Sequence, residues 1–441
     1  MLEVERIKVD VKALKHGMYV AELDRPWLGT PFLFQGFPIT KDEEIAQLQE
    51  CCEFVFVDAT QSVGWEPDMR WLRRMDEYLV LEPPEEEEPV AHRTPRFTTQ
   101  RVNVAAEPRR GWKQETGSFL SVLQRARESY GRTHDYINRV LEDVRLGRSI
   151  DPAEAKQVVN ELVDSIMANE SALVWLTMLK HRDEYTSQHS INVCIMSLVF
   201  GRHLGLSEHD LRELGHGALL HDIGKMKVPL EILNKPTRLT DDEMMELKRH
   251  AGYGYDMLKG SEHISERSLD IVRSHHERVD GSGYPRGLKG EEIGQFPMIV
   301  SVVDVYDAIT SDRVYHMGIS PHEALNLMYG WTPNSFLRDT IEAFIKCLGI
   351  YPIGSIVELE TGEVGVVMTM NLAQRMRPII TLVLDAEKRP YPVRKLLNLA
   401  QYADDNWPMN IKRILQSHSY GIDVRSLVLE GATEEVVAAA G

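Results

Sequence analysis

The sequence predicts a mainly α-helical protein with a small α+β domain at its N-terminal end and a small β-rich appendage at its C-terminal end. Two observations predict the helical part. Apolar residues recur at three- and four-residue spacing from Phe119 onward, and a helix-start pattern stands at residues 151–154. A third observation predicts the flanking parts, because β-branched and aromatic runs broken by turn residues occur near both ends of the chain.

Length and charge limit the classes of function. A chain of 441 residues is long enough for about three domains. Its 50 basic and 67 acidic residues give a net charge of −17. An acidic surface repels phosphates on average, so we expect no charge-driven binding to nucleic acid or to an anionic membrane, although a local basic pocket remains compatible with it.

Membrane insertion and secretion are not expected either. The sequence contains no apolar segment of 18 residues without charge, and its start lacks the apolar stretch of a signal peptide. The four cysteines show no C-x-x-C spacing. The sequence therefore predicts a cytoplasmic protein with reduced thiols.

Residues 1–80 are predicted to form a small α+β domain with a regulatory role. Strand-like runs cover Met18–Leu23, Phe32–Ile39 and Phe54–Asp58, and a short helix is predicted from Asp42 to Gln49. Residues 81–115 follow, with three prolines around four consecutive glutamates. Such a segment cannot bury a core, so it is predicted to be a solvated linker.

Residues 116–180 are predicted to form long helices that lead into the next domain. Apolar residues of the first helix recur from Phe119 to Val144, and Asp151-Pro152-Ala153-Glu154 is typical of a helix start with a capping box. The two helices meet near Gly147. This pattern is compatible with a helical hairpin and with a coiled stalk through which two chains dimerise, and the sequence leaves both open.

The C-terminal part is predicted to contain a helix and a small β appendage within residues 336–425. Strands are expected at Ile356–Leu359, Val364–Met368 and Ile379–Leu384, with turns at Thr361-Gly362 and Asp385. Residues 426–441 are rich in Ala and Glu and are predicted to be a flexible tail.

Residues 181–335 carry histidines and aspartates in apolar surroundings. His221-Asp222 follows an apolar helical stretch, Asp304 lies inside another, and His275-His276 form a pair. Buried ionisable groups are costly unless something compensates them, and a divalent cation compensates imidazoles and carboxylates together. Adjacent helical residues point about 100° apart, so Asp222 can reach a second ion that His221 does not touch.

Most other histidines are expected to play no part in this chemistry. His216 stands five residues before His221, on another helical face, and is predicted to be structural. Nine more are predicted to be surface or capping residues: His16, His92, His134, His181, His203, His209, His263, His322 and His418.

Two motifs resemble a known family. HDIGK at 221–225 and HHERVDGSGYP at 275–285 resemble the signatures of the HD-GYP domain, a branch of the HD phosphohydrolases. The likeness runs through residues 185–330 and includes Lys235-Pro236, His250 and SDRVYH at 311–316. It implies an all-helical HD-type catalytic domain at 181–335. The N-terminal domain is also similar to a small domain that often precedes HD-GYP domains in bacteria.

The resemblance implies a metal-dependent phosphodiesterase that hydrolyses cyclic di-GMP to pGpG, and in some members onward to GMP, with a hydroxide that bridges two cations. Two divalent ions are implied, with Fe or Mn expected and Ni, Co or Zn also compatible with nitrogen and oxygen ligands. The implied partners are cyclic di-GMP, pGpG, and diguanylate cyclases or other signalling proteins that control biofilm formation and motility. A homodimer stays open.

The resemblance also implies a set of ligands. Asp222 is expected to bridge two ions, one also bound by His189, His221 and Asp304, the other by His250, His275 and His276.

Substrate contacts are implied as well. Asp222 and Lys225 are the expected catalytic residues, and Lys225 would contact a phosphate oxygen or protonate the leaving group. Tyr284, Arg313 and His316 are the further expected substrate contacts, and Arg278 and Arg286 are expected to add positive charge near the Gly-Tyr-Pro loop.

Two positions depart from the family pattern. Members with three metals carry a glutamate where this chain has Tyr185, which favours two ions. The family carries a lysine near the substrate phosphates where this chain has His316, which puts tight binding or the second cleavage step in question.

Two alternatives stay open: an HD hydrolase of another nucleotide, such as pGpG or a mixed cyclic dinucleotide, and a weakly active signalling scaffold. The complete ligand set favours an enzyme.

Overall fold

A computed structural model describes the chain over residues 6–24, 30, 32, 36–39, 41–58, 119–148, 152–168, 170–177, 185–235, 237–261, 264–311, 318–332, 334–369, 377–402, 410–416, 419–422 and 424. The linker predicted at 81–115 and the tail predicted at 426–441 lie outside these residues. Two compact units make up the chain. The described residues up to 58 belong to the first unit, and those from 119 onward belong to the second.

The first unit is a four-stranded antiparallel sheet with one α-helix. Its elements are β1 (Arg6–Asp10), β2 (Tyr19–Leu23), β3 (Phe37–Pro38), α1 (Asp42–Cys51) and β4 (Phe54–Asp58), and the sheet order is β1-β4-β2-β3. Val20, Ile39, Leu48 and Val55 form its buried core. The sequence missed β1, and the run predicted at Phe32–Ile39 pairs as a strand only at Phe37–Pro38 within the described residues.

The second unit is mainly helical, and the predicted fold class is confirmed. Its α-helices are α2 (Phe119–Arg145), α3 (Pro152–Ala168), α4 (Glu170–Thr177), α5 (Tyr185–His203), α6 (Glu208–Leu220), α7 (Leu230–Leu233), α8 (Asp241–Lys248), α9 (His250–Leu258), α10 (Glu266–Ser274), α11 (Gln295–Thr310), α12 (Pro321–Gly330) and α13 (Arg338–Leu348).

Helices α2 and α3 form a hairpin within one chain. Arg132 pairs with Glu161 at 2.7 Å, and Arg139, further along α2, pairs with Glu154, which stands earlier on α3. Pairs in this crossed order require antiparallel helices. Of the two arrangements that the sequence leaves open, the hairpin is therefore the one that the chain adopts.

Helix α6 is held close to its neighbours by glycines. A Cβ on Gly215 would lie 2.6 Å from Val159 Cγ1 on α3, and a Cβ on Gly217 would lie 2.4 Å from Ile271 Cδ1 on α10. Both distances are below van der Waals contact, so a larger residue would push the helices apart. This close packing fixes the C-terminal end of α6, where His221 and Asp222 follow.

A five-stranded antiparallel sheet completes the second unit. Its strands are β5 (Ile356–Leu359), β6 (Val364–Thr369), β7 (Ile379–Leu384), β8 (Pro390–Asn398) and β9 (Ile411–Leu415), in the order β8-β7-β6-β5-β9. Three of these strands were predicted, whereas β8 and β9 were not. Glu358 is buried in this sheet and is neutralised by Lys388 and Arg413.

The expectations about membrane-spanning helices and about cysteine thiols can be compared with the described residues. Among them, no helix combines the length and the apolar character that a bilayer crossing needs. Cys51, Cys52, Cys194 and Cys347 are all free thiols.

Candidate metal centre

The structure brings the seven implied ligands together from separate helices. His189 lies on α5, and His221 and Asp222 follow α6. His250 begins α9, His275 and His276 follow α10, and Asp304 lies on α11. Every one of the seven is buried, with at most 7% of its surface exposed.

The seven side chains fall into two groups around Asp222. Ligand atoms of each group lie within 4.8 Å of one another, and the groups are His189, His221 and Asp304, and Asp222, His250, His275 and His276. Asp222 faces both groups. Its Oδ2 lies 3.4 Å from His221 Nε2 and 3.7 Å from His189 Nε2, whereas its Oδ1 lies 3.4 Å from His250 Nε2. This is the arrangement expected of a bridging carboxylate.

Backbone carbonyls orient three of the imidazole rings. Nδ1 lies 2.7 Å from Ala218 O in His221, 2.7 Å from Leu247 O in His250 and 3.1 Å from Val272 O in His275. A carbonyl oxygen accepts only, so each Nδ1 carries a hydrogen, and in the neutral ring this leaves the lone pair on Nε2. All three Nε2 atoms therefore face the site as metal-binding atoms.

His189 is oriented by a carboxylate instead. Its Nδ1 donates to Asp307 Oδ2 at 2.8 Å, while its Nε2 lies 3.0 Å from Asp304 Oδ1. Burial opposes the charged ring, but the hydrogen bonds to Asp304 and Asp307 outweigh it and raise the pKa of His189 to about 9. A cation at Nε2 would have to replace a proton on this ring.

In the second ligand group, burial favours neutral histidine rings, whereas His189 of the first group is favoured in its charged form. Burial lowers the pKa of His250 to about 4 and that of His275 to about 3, so both rings are neutral at neutral pH. Burial raises the pKa of Asp222, but the charge of Lys225 and the nearby histidines outweigh it and hold that pKa well below its usual range. Neutral imidazoles around an ionised carboxylate are the forms that bind a divalent cation.

Unsatisfied polar atoms at the centre support a metal. His221 Nε2, Asp222 Oδ1 and His276 Nδ1 are buried and have no hydrogen-bond partner among the described residues. Such atoms each cost about 1–3 kcal/mol when left unpaired. The donor set contains only nitrogen and oxygen. These residues fit divalent cations of the first transition row.

A third group of potential ligands is a surface ion-pair cluster. His209, Asp210 and Glu213 lie close together on α6, but they are only partly buried or exposed. Arg267 pairs with both Asp210 and Glu213, so its guanidinium already compensates their charge.

Two of the expected catalytic and substrate residues lie at the edge of the metal centre. Lys225 donates from Nζ to Asp222 Oδ2 at 2.6 Å and is 20% exposed. The Tyr284 ring stacks on His276, with centroids 4.7 Å apart and planes at 29°. Arg313 and His316 lie outside the described residues, as does the side chain of Tyr185.

The loop that carries Tyr284 folds back over His276. The backbone N–H of Tyr284 donates to His276 O at 3.2 Å. Glu277, which is 1% exposed, accepts the N–H of Arg286 at 2.7 Å and that of Leu288 at 3.0 Å. Glu277 therefore anchors the loop beyond Tyr284, a role that sequence reasoning missed because its partners are backbone groups.

The two arginines that were expected to add positive charge near this loop also make structural hydrogen bonds and ion pairs. Arg278 is buried and donates to Ser301 Oγ at 2.8 Å and to Glu277 O at 2.9 Å. Arg286 pairs with Asp270 at 2.7 Å. Both guanidiniums hold the loop and the end of α10 in place.

Asp307 is another residue at the site that the sequence did not single out, and its carboxylate accepts from His189. It stands one helical turn after Asp304 in the same apolar helix, and this repeated carboxylate is the signal that could have found it.

Two predictions about the remaining histidines have different outcomes. His216 is buried on α6 and belongs to neither ligand group, and burial lowers its pKa to about 4. The prediction for His322 was wrong in part. It lies in the first turn of α12 and is buried, because that turn packs inward.

Comparison with protein families gives two matches. Residues 174–331 match the HD domain family, and residues 6–155 match a domain of unknown function, DUF3391. The first match contains all seven clustered residues. The second covers the N-terminal unit and extends through α2 into α3.

Curated relatives carry related names. A cyclic di-GMP phosphodiesterase of Pseudomonas aeruginosa is 34% identical over 391 residues, which are 87% of each chain. The cyclic di-GMP phosphodiesterase response regulator RpfG of Xanthomonas campestris is 39% identical over 170 residues, 38% of this chain and 45% of its own. A 3′3′-cGAMP-specific phosphodiesterase of Vibrio cholerae is 35% identical over 169 residues, 38% of each chain. With its HD and Gly-Tyr-Pro motifs at one buried centre, and a relative aligned along most of both chains, this protein belongs to the HD-GYP family of HD-domain phosphodiesterases.

Proposed function

We propose that the protein hydrolyses cyclic di-GMP to pGpG with the help of two divalent cations. The observation that carries the proposal is the position of Asp222, whose two carboxylate oxygens face two separate groups of buried ligands. Relatives named cyclic di-GMP phosphodiesterases support the substrate.

In this proposal, each group holds one ion. His189, His221 and Asp304 would hold the first ion and the three remaining histidines the second, and Asp222, which faces both groups, would contribute to both sites. Fe or Mn is proposed, with Ni, Co or Zn as chemically compatible substitutes. When bound, such cations polarise a phosphate and make water a stronger acid.

Lys225 is proposed to act on the substrate. Hydrolysis adds water to phosphorus and breaks the bond to the 3′ oxygen, which must gain a proton as it leaves. The Lys225 ammonium, 2.6 Å from Asp222 and partly exposed, is a nearby donor of that proton and of a hydrogen bond to a phosphate oxygen.

Tyr284 is proposed to form one wall of the substrate site. One face of its ring is covered by His276, and Lys248 Nζ lies 5.6 Å from the ring centroid. An aromatic ring with a nearby cation suits a nucleotide, which has a flat base and a negative phosphate. Arg313 and His316 are kept as proposed phosphate contacts on sequence grounds.

The products and partners belong to the same proposal. Because His316 replaces a family lysine, we propose that hydrolysis stops mainly at pGpG and that GMP forms slowly. The N-terminal unit is proposed to be regulatory, with diguanylate cyclases or other signalling proteins as partners in a bacterial cytoplasm.

One alternative substrate has specific support. The Vibrio cholerae relative is named a 3′3′-cGAMP-specific phosphodiesterase, and it aligns with 38% of this chain. A mixed cyclic dinucleotide presents the same phosphodiester to the same centre, so only base recognition would separate the two substrates.

The test compares substrates on one preparation. Full-length protein loaded anaerobically with Fe²⁺ or Mn²⁺ is given cyclic di-GMP, 3′3′-cGAMP or pGpG, and products are followed by chromatography. We expect cyclic di-GMP to be turned over fastest, with pGpG accumulating. Faster turnover of 3′3′-cGAMP would replace the proposed substrate.

The matched control is the double variant His221→Ala/Asp222→Ala, which removes a ligand and the bridging carboxylate. We expect it to lose turnover and, in cells, to lose the phenotype of the wild type. A variant that keeps its cellular phenotype would favour the scaffold alternative over the enzyme.

A further inference from the structure

We propose that Asp307 is a positioning residue that fixes His189 as a metal ligand, an inference that rests on the proposed metal centre. The relevant observation is that one imidazole ring connects two carboxylates on α11. His189 Nδ1 donates to Asp307 Oδ2 at 2.8 Å, and His189 Nε2 lies 3.0 Å from Asp304 Oδ1. Asp304 and Asp307 are three residues apart, on one face of the helix.

Asp307 is itself held by two further side chains. Asn192 Nδ2 on α5 donates to Asp307 Oδ1 at 3.1 Å, and Ser311 Oγ, just after α11, lies 3.3 Å from Asp307 Oδ2. Asn192 stands three residues after His189, so the carboxylate contacts two side chains of the same face of α5. With its side chain 6% exposed, Asp307 is a rigid acceptor and fixes both the tautomer and the rotation of the ring.

The other oriented rings use the backbone for this purpose. Carbonyl oxygens accept from Nδ1 in His221, His250 and His275. Among these four rings, His189 is thus the one whose Nδ1 partner is a side chain and can be changed by substitution. Removal of such outer partners typically weakens metal binding by about 10–100-fold.

The geometry limits the effect to one of the two ligand groups. His189 belongs to the group with His221 and Asp304, and the hydrogen bonds of Asp307 described above join it to His189, Asn192 and Ser311, which lie outside the other group. We therefore expect Asp307→Asn to weaken one bound ion and to leave the other close to its wild-type affinity.

The experiment measures metal binding by the full-length protein without any substrate. Wild type, Asp307→Asn and Glu358→Gln are stripped of metal and titrated with Mn²⁺, and bound ions are counted by elemental analysis. Glu358 is the control because it is also a buried carboxylate with charged partners, but it lies in the C-terminal sheet. The expected result is at least about tenfold weaker binding of one ion in Asp307→Asn and unchanged binding in Glu358→Gln.

A second variant keeps the test decisive if Asp307→Asn folds poorly. Asn192→Asp/Asp307→Asn returns one carboxylate and one amide to the same pair of positions, so it restores their mutual hydrogen bond while His189 faces an amide. We expect the thermal midpoint of the metal-free protein to recover in this double variant. Mn²⁺ binding should stay weak, because a neutral amide oxygen increases the basicity of the His189 ring less than a carboxylate does. Wild-type affinity in either variant, or equal weakening of both ions, would overturn the proposal.

The outcome is separable from that of the proposed function. If the wild type binds two Mn²⁺ ions but hydrolyses no cyclic dinucleotide, the proposed activity is wrong. The Mn²⁺ titration of the variants still decides whether Asp307 positions His189.

Discussion

The ammonium of Lys225 lies 2.6 Å from the Asp222 oxygen that also faces His189 and His221. The Lys225 side chain is 20% exposed, and it thus connects solvent with the carboxylate at the centre of the site. A group placed at this boundary can contact a substrate that enters, whereas the seven deeper residues cannot reach far beyond the centre.

Replacing Lys225 should reduce the rate and leave the metal in place. We expect Lys225→Ala to lower kcat by about 10²–10⁴-fold, because a positioned proton donor is lost. Lys225→Arg is the matched variant. It keeps the charge but holds its proton too tightly to donate it, so we expect KM near that of the wild type and a low kcat. Steady-state kinetics with metal analysis would check this, and metal loss in either variant would assign Lys225 to ion binding instead.

The metal-free protein should be most stable near pH 6.5. His250 has its pKa lowered to about 4, so its neutral form stabilises the fold above pH 6.5, and this stability is lost as pH falls toward 4. His189 has its pKa raised to about 9, so its contribution is present below pH 6.5 and is lost as pH rises through 9. Calorimetry of the metal-free protein from pH 4.5 to 9.5 would measure how stability falls on the acidic and on the alkaline side of pH 6.5.

The variant His250→Gln tests the loss of stability on the acidic side of pH 6.5. It removes the titrating ring, so we expect stability to fall less steeply between pH 6.5 and 4.5 and to change with pH as in the wild type above pH 6.5. If the stability of this variant fell as steeply with decreasing pH as that of the wild type, other groups would be responsible for the loss of stability in acid.

Removing the Tyr284 ring should weaken substrate binding more than catalysis. The ring stacks on His276 and is proposed to contact a base, and such stacking contributes about 1–3 kcal/mol. We expect Tyr284→Ala to raise KM by about tenfold, since the contact is lost, and Tyr284→Phe to stay within about twofold. If Tyr284→Phe were as impaired as Tyr284→Ala, the hydroxyl and not the ring would be the functional group.

Gly224 should tolerate no side chain. A Cβ there would lie 1.9 Å from the carbonyl oxygen of His250, so Gly224→Ala would force the turn after Asp222 away from α9. We expect loss of several kcal/mol of stability, of the order of other overpacking changes, together with loss of metal.

Gly252→Ala is the matched control for this change. It lies on α9 itself, and its Cβ would meet no atom within 4 Å. We expect it to be neutral or to stabilise the helix by up to about 1 kcal/mol. Thermal unfolding of both variants would compare them, and a harmless Gly224→Ala would contradict the packing argument.

Part of the clustered set is visible in the sequence because its motifs are local. HDIGK and HHERVDGSGYP contain four of the seven clustered residues as neighbours in fixed order, whereas the other three stand alone in separate segments. Asp307 was not predicted, because its importance depends on His189 and Asn192 of another helix. Contacts between distant segments leave no local pattern.

The limits of the fold prediction have similar causes. Strand β1 reads Arg-Ile-Lys-Val-Asp, and β8 contains two prolines and two basic residues, so neither has the β-branched run that was sought. The same apolar stripe on α2 and α3 suits a hairpin and a stalk, because periodicity specifies which face is buried but not what covers it. Ion pairs such as Arg132–Glu161 decide between them only in three dimensions.

The order of the proposed ligands along the chain has a consequence for biosynthesis. The set formed by Asp222, His250, His275 and His276 is complete once the ribosome has added His276, whereas the set that begins with His189 must wait for Asp304. Because α11 carries that last carboxylate and is almost entirely buried, an ion captured early would be enclosed only when this later helix docks.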